Sequence, residues 1–70
     1  MYHVVVSDNR NIISQSLCEG LGEAVLFGHR TGRKGNSIHI YDSVQDATGE
    51  IVHLSESLVT IIEENHKEYL

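Results

Sequence analysis

The sequence has little that would cross-link a small domain or hold it in a membrane. One cysteine in 70 residues cannot form a disulfide within the chain, and a single thiol is typical of proteins in a reducing compartment. The early apolar run at residues 4–6 is far too short for the core of a signal peptide, and no run approaches the length of a membrane span. We therefore expect a cytoplasmic protein without a membrane partner.

The chain is also short. Its 70 residues make one domain, residues 1–70, and a domain of this size buries only about 60% of the surface that its unfolded chain exposes. Without an internal disulfide, association with further copies is a common source of the missing stability. The length therefore predicts a homo-oligomer.

Positive charge is scarce and concentrated. The chain has five Lys and Arg against ten Asp and Glu, which gives a net charge of −5. Arg30, Arg33 and Lys34 all fall within residues 28–37, and no acidic residue occurs from residue 24 to residue 41. An acidic protein repels a long polyanion, whereas one basic segment can hold a compact anion. This pattern favours a small phosphorylated ligand over nucleic acid.

β-Branched residues predict a first strand at residues 2–6. The following segment is ambiguous, because residues 11–20 fit a strand but also fit a helix with Ile13, Leu17 and Leu21 on one side. Since serine and asparagine are weak helix formers, the strand is the preferred interpretation.

Two turn signals share one layout. Asp8 and Asp46 each open a turn, and Asn11 and Gly49 occupy the positions at which a left-handed residue would close it. The second signal predicts a hairpin between the apolar segments at residues 38–44 and 50–54.

Glycines predict that the basic segment is itself a hairpin loop. Residues 28–37 contain three glycines, and strand-like runs at residues 23–28 and 38–44 flank them. The basic segment would then lie at the tip of a central hairpin.

From Ser55 the hydrophobic period changes to that of a helix, because four apolar side chains fall on one helical stripe: Leu58, Ile61, Ile62 and Tyr69. The predicted fold class is α+β, a small antiparallel sheet of four to five strands. The strands would form a meander of hairpins covered by one C-terminal helix. The alternative order is β-α-β-β-β-α, with a helix near residues 11–20.

The basic segment carries the strongest functional signal. It is not a Walker A loop, because the second glycine required after Gly28 falls on Arg33, and Lys34 is followed by Gly35. A flexible cationic loop can still bind phosphate through guanidinium, ammonium, amide and hydroxyl groups. The predicted ligand-binding residues are His29, Arg30, Arg33, Lys34, Asn36, Ser37 and Tyr41.

Other reactive side chains give weaker signals. His3, His39 and His53 lie in predicted strands and are potential zinc ligands. Because no pair has short ligand spacing and no cysteine joins them, we interpret them as imidazoles on a half-exposed sheet face without a metal. Cys18 lies beside Glu19 with no cation near it in sequence, so it lacks the setting of a nucleophile. The sequence predicts neither an enzyme nor a cofactor.

These observations lead to three functional hypotheses. The first is a non-enzymatic, homo-oligomeric protein that binds a nucleotide-like anion with the basic segment, in a sequestering or sensing role. The second is a protein-interaction module or inhibitor that presents an acidic C-terminal helix to a protein partner, through Glu56, Glu63, Glu64 and Glu68. The third is single-stranded nucleic acid binding across the sheet by the loop and Tyr41, which the net charge disfavours.

Overall fold

The structure, a computed structural model, describes residues 1–33 and 35–62. These residues form four strands and one helix in the order β1 (Tyr2–Asp8), β2 (Asn11–Cys18), α1 (Leu21–Thr31), β3 (Ser37–Gln45) and β4 (Ile51–Ile62). The strands make one sheet in the order β2-β1-β3-β4, and every neighbouring pair is antiparallel. Since β2 and β3 both run antiparallel to β1, they are parallel to each other, and α1 connects them across β1.

The helix is in the middle of the chain, so the prediction of a strand at residues 23–28 is wrong. The apolar run that suggested a strand is equally compatible with a buried helix segment. In α1 the burial of this run follows a helical period, because Ala24 and Gly28 are buried against the sheet while Leu26 is 48% exposed. The central hairpin and its basic tip therefore do not exist.

The predicted helix over the later residues is also wrong where the structure describes them. Leu58, Ile61 and Ile62 belong to β4, in which Ile62 is paired with Ile38. The run of Val, Thr and Ile before residue 62 favours a strand, because β-branched side chains pack well on a pleated sheet. Residues 63–70, which include Tyr69, lie outside the described residues. The meander is wrong as well, because β1 lies between β2 and β3.

The preference for a strand over a helix at residues 11–20 is confirmed for Asn11–Cys18, and the alternative helix near residues 11–20 is wrong. The turn before it differs from the prediction. Asp8 pairs with Asn11, and the two residues between them, Asn9 and Arg10, have φ of 45° and 76°. Two consecutive left-handed residues allow a two-residue hairpin loop that matches the twist of the strands. Asn11 is therefore a strand residue and does not close the turn.

The hairpin between β3 and β4 is confirmed. Gln45 pairs with Ile51, and Gly49 has the expected left-handed φ of 87°. Asp46 organises the turn, because one of its carboxylate oxygens accepts hydrogen bonds from the Thr48 hydroxyl at 2.6 Å, the Thr48 N–H at 2.8 Å and the Glu50 N–H at 3.0 Å. These hydrogen bonds, led by that from the Thr48 hydroxyl, hold the pKa of Asp46 below its usual value.

The core lies between α1 and one face of the sheet. Its fully buried members are small and aliphatic: Val4, Val6, Ala24, Ile38 and Ile40. The helix approaches β3 so closely that a Cβ atom on Gly28 would lie 2.7 Å from Cγ2 of Ile38. Glycine at this position therefore permits the helix to pack against the sheet.

The helix packs on β1, β2 and β3. The opposite side of the sheet, which we call the open face, carries the side chains that alternate with the core residues. It includes His3 on β1, Gln15 on β2, His39 and Tyr41 on β3 and His53 on β4.

Candidate functional site

The predicted ligand-binding residues do not form one loop. Residues 28–31 belong to the last turn of α1, and the Gly32 N–H donates to the carbonyl oxygen of Gly28 at 2.8 Å to close the helix. Arg30 is exposed on this last turn, and Lys34 lies outside the described residues. The C-terminal end of a helix carries a partial negative charge, which opposes the binding of an anion by the backbone.

Asn36 organises the connection between α1 and β3. It is buried, its side-chain oxygen accepts from the Arg33 N–H at 2.7 Å, and its own N–H donates to the Arg33 carbonyl at 2.9 Å. The amides of Gly32, Arg33 and Asn36 are therefore already used within the protein. Among the described residues of this connection, Arg30 has an exposed guanidinium group, whereas Arg33 Nη1 donates to the Arg30 carbonyl oxygen at 3.3 Å. The three amides do not form the nest of free amides that a phosphate loop presents.

The other predicted residues are spread over different surfaces. His29 is half-buried on α1, and its Nδ1 is buried without a hydrogen-bond partner within the described part of the protein. Ser37 begins β3 and is half-buried. Tyr41 lies further along β3 on the open face, among histidines. The structure thus separates Tyr41 from the basic segment to which the sequence assigned it.

A groove runs beside the basic end of α1. Its volume is about 370 Å³, and its lining combines apolar, acidic and basic side chains: Cys18, Glu23, Leu26, Phe27, Arg30 and Thr31. The groove thus offers an aromatic surface next to a guanidinium group. Cys18, at the end of β2, contributes a half-buried thiol that is not in a disulfide.

The open face holds a second, more ordered cluster. His3 Nδ1 lies 2.9 Å from His53 Nε2, and His3 Nε2 lies 2.7 Å from the side-chain oxygen of Gln15. The Tyr41 ring stacks on His53 with centroids 4.2 Å apart and planes 12° apart. His39 lies beyond Tyr41, with a ring nearly parallel to it at 6.3 Å. All four strands contribute a side chain to this row.

The hydrogen bonds define the tautomers of the two linked histidines. The Gln15 oxygen can only accept, so Nε2 of a neutral His3 carries the hydrogen and Nδ1 carries a lone pair. That lone pair accepts from the Nε2–H of His53. Nδ1 of His53 is then left with its own lone pair. The row is a directed chain of hydrogen bonds from His53 through His3 to Gln15.

Sequence reasoning had noticed His3, His39 and His53 but had no means of pairing them. His3 and His53 meet because β1 and β4 both flank β3, so their side chains approach each other beside Tyr41. Gln15 gave no signal in the sequence at all. Among the described residues, no group of three or more His, Cys, Asp and Glu side chains is arranged to hold a metal ion.

Comparison of the chain with protein-family models, curated proteins and solved structures finds no match. Within residues 1–33 and 35–62, no helix has the length and apolar character needed to cross a membrane.

Proposed function

We propose that this protein is a non-enzymatic binding protein that works as a homo-oligomer joined through β4. The observation that carries the proposal is the exposure of this strand. Six of its large apolar side chains are 37–45% exposed: Ile51, Val52, Leu54, Leu58, Val59 and Ile61. Since neighbours along a strand point to opposite faces, Ile51 with Val52 and Leu58 with Val59 leave both faces of β4 apolar. A strand with two apolar faces has the composition of an interior strand.

In this sheet, however, β4 is an edge strand. Edge strands that remain unpaired are commonly protected by lysine, proline or other charged residues. Residues 51–62 contain no Lys, Arg or Pro and a single acidic residue. The other edge, β2, also lacks charged residues and exposes Ile12 and Ile13, but three consecutive polar residues, Ser14, Gln15 and Ser16, follow them. In addition, α1 packs against β2. The outer edge of β4 is therefore the side on which this sheet is best suited to be extended.

A second copy of the same chain is the partner that best fits this edge. Among the residues that the structure describes, five aliphatic side chains are fully buried, which is little apolar burial to offset the loss of conformational entropy in a single copy. Two β4 strands related by a twofold axis would run antiparallel, giving each protomer the same contacts. The two sheets would join into one, with both copies of β4 in its interior.

Sedimentation velocity over a range of protein concentrations tests this assembly. We expect a dimer or larger oligomer, together with a Tm that rises with concentration, because assembly stabilises the folded state by mass action. Leu54→Lys and Val59→Lys, each at an exposed β4 position, should yield monomers at concentrations where the unmodified protein is assembled.

Ile12→Lys is the matched control, because Ile12 is 61% exposed on the opposite edge strand. This variant should assemble normally. A monomer mass for the unmodified protein with a concentration-independent Tm, or dissociation by Ile12→Lys alone, would contradict assembly through β4.

The groove beside α1 supports a second candidate function, the binding of a nucleotide-like anion. Phe27 and Leu26 offer an apolar surface for a planar body, and Arg30 is placed to donate to a phosphate. Calorimetric titration with mono-, di- and cyclic nucleotides tests it. Arg30→Gln should weaken binding by about 10- to 100-fold, since a charge-assisted hydrogen bond contributes roughly 1.5–3 kcal/mol.

Arg10→Gln is the control for that titration, because Arg10 lies in the turn between β1 and β2 and does not line the groove. Equal losses in both variants would indicate a general charge effect. If the unmodified protein binds no phosphorylated compound, the groove is not an anion site.

A further inference from the structure

Two imidazole nitrogens face each other on the open face, and each of the two rings has a further contact that fixes its orientation. His3 Nδ1 and His53 Nε2 are 2.9 Å apart. Gln15 accepts from the other nitrogen of His3, which fixes that ring and directs its Nδ1 lone pair towards His53. Tyr41 stacks on His53 at 4.2 Å and fixes the second ring. His3 is only 8% exposed, whereas His53 is exposed, so the facing nitrogens lie where the sheet meets solvent.

The hydrogen bond between His3 and Gln15 is of the kind that metal-binding histidines make. A histidine ligand usually donates its second ring N–H to a carbonyl or carboxylate, which fixes the tautomer and increases the basicity of the ligating nitrogen. Gln15 stands in that position relative to His3. If the hydrogen of His53 moves from Nε2 to Nδ1, both facing nitrogens present lone pairs while both rings stay neutral. An ion between them would then replace the present hydrogen bond without any change in the number of bound protons.

We propose that His3 and His53 bind a divalent transition-metal ion of the zinc type on the open face, with Gln15 as a positioning residue. Zn–N bonds of about 2.0–2.1 Å at a tetrahedral angle place two nitrogens about 3.3 Å apart. The present separation of 2.9 Å needs to widen by only a few tenths of an ångström. Because no third His, Cys, Asp or Glu among the described residues completes a ligand group, water fills the other coordination positions.

Imidazole pairs prefer Zn²⁺ and Co²⁺ over Mg²⁺, which takes oxygen ligands. Titration calorimetry and thermal unfolding of the whole chain with ZnCl₂, CoCl₂ and MgCl₂ test the proposed metal site. One Zn²⁺ should bind per chain and raise the Tm, Co²⁺ should bind more weakly and Mg²⁺ should have no effect. The same result is expected for the Val59→Lys variant, so the metal site and the assembly through β4 succeed or fail independently.

His53→Phe is the decisive variant, because it keeps a ring to stack on Tyr41 and removes the ligating nitrogen. It should abolish both the binding of Zn²⁺ and the rise in Tm. His39→Ala, which removes a histidine of the same face outside the pair, should leave both unchanged. Gln15→Ala should weaken the affinity by about 10- to 100-fold while leaving the stoichiometry at one ion per chain.

Gln15 is exposed at the edge of the sheet, so Gln15→Ala tests the site even if His53→Phe does not fold. Failure of the unmodified protein to bind Zn²⁺ would overturn the proposal, as would full binding by His53→Phe. Loss of binding in His39→Ala would overturn the assignment to this pair. An unchanged affinity in Gln15→Ala would remove Gln15 from the site.

Discussion

Strands β1 and β4 are both rich in branched aliphatic residues, yet the fold buries them to very different extents. Val4 and Val6 of β1 are fully buried, whereas Val52 and Ile61 of β4 are 43% exposed. The difference comes from position, because β1 has a strand on each side and α1 across one face, while β4 is an edge strand. Apolar content alone therefore does not define the core of this domain. The aliphatic side chains that pack between α1 and the sheet are core, whereas those of β4 that the structure describes remain exposed.

The largest expected effect is the difference between replacing an isoleucine by alanine in the core and replacing one in β4. Ile40→Ala removes a fully buried side chain and should cost about 2–5 kcal/mol, whereas Ile61→Ala, at a position 43% exposed, should cost less than about 1 kcal/mol in dilute solution. Urea unfolding of both variants measures the difference. Equal losses would show that β4 belongs to the same core. A cost for Ile61→Ala that grows with protein concentration would place Ile61 in the assembly.

A methyl group at the contact between helix and sheet should also destabilise the covered region. Gly28→Ala gains up to about 1 kcal/mol in helix propensity, but its Cβ would lie 2.7 Å from Ile38 Cγ2, and overpacking costs about 1–3 kcal/mol. We expect a net loss in thermal unfolding. Adding Ile38→Leu removes the branch at Cβ and should recover part of it. A stabilised Gly28→Ala variant would mean that α1 can move away from β3.

Replacing Arg10, the second residue of the turn between β1 and β2, by glycine should stabilise the protein slightly. Arg10 has φ of 76°, and a left-handed conformation costs a residue with a side chain about 1–2 kcal/mol. Arg10→Gly removes that cost but adds chain entropy to the unfolded state, so the net gain should be about 0–1 kcal/mol. Asn9→Gly should gain less, because asparagine tolerates this conformation. A loss of stability in Arg10→Gly, measured by urea unfolding, would contradict a strained turn.

The turn between β3 and β4 should show the smallest effect, detectable as a pH dependence. The pKa of Asp46 is lowered in the folded protein, so the unfolded state binds its proton more readily. The resulting stabilisation is present above the usual pKa of an aspartate and is lost as the pH falls through the lowered value. Asp46→Asn keeps an acceptor but cannot titrate. Its stability relative to the unmodified protein should therefore vary with pH below about 4, and a constant difference would contradict the assignment.

Local sequence signals were sufficient for β1, β2 and the hairpin between β3 and β4, but not for the helix or for the end of β4. β-Branched residues located β1, weak helix formers favoured a strand for β2, and Asp46 with Gly49 located the hairpin between β3 and β4. The apolar run in α1 gave no local means of choosing helix over strand. What distinguishes them is tertiary: Gly28 allows close approach to Ile38, and a helix can connect the parallel strands β2 and β3 across β1. The run of Leu58 to Ile62 was misread for the converse reason, because its pairing with β3 overrides the helical period.

For the candidate sites, too, the sequence shows the individual residues but not the contacts between them. The basic residues were visible in sequence, but the hydrogen bonds that use the amides around Asn36 are a property of the folded connection. His3 and His53 were visible as separate histidines, and only the strand order brings them together. Gln15 is an ordinary polar residue on an edge strand, and only its hydrogen bond to His3 Nε2 in the folded protein connects it with the histidine pair.

The strand order has a consequence for how the chain reaches its native state. The pairs β1–β2 and β3–β4 are hairpins between sequence neighbours, so each requires only a short loop to close. The central pair β1–β3 instead joins Ser7 to Ser37 and Tyr2 to Asp42, with β2 and α1 held in the intervening loop. Closing such a loop costs entropy before any contact compensates for it, and non-local pairing slows folding. The docking of two preformed hairpins along β1 and β3 should therefore limit the folding rate, and His3 meets His53 only after that step.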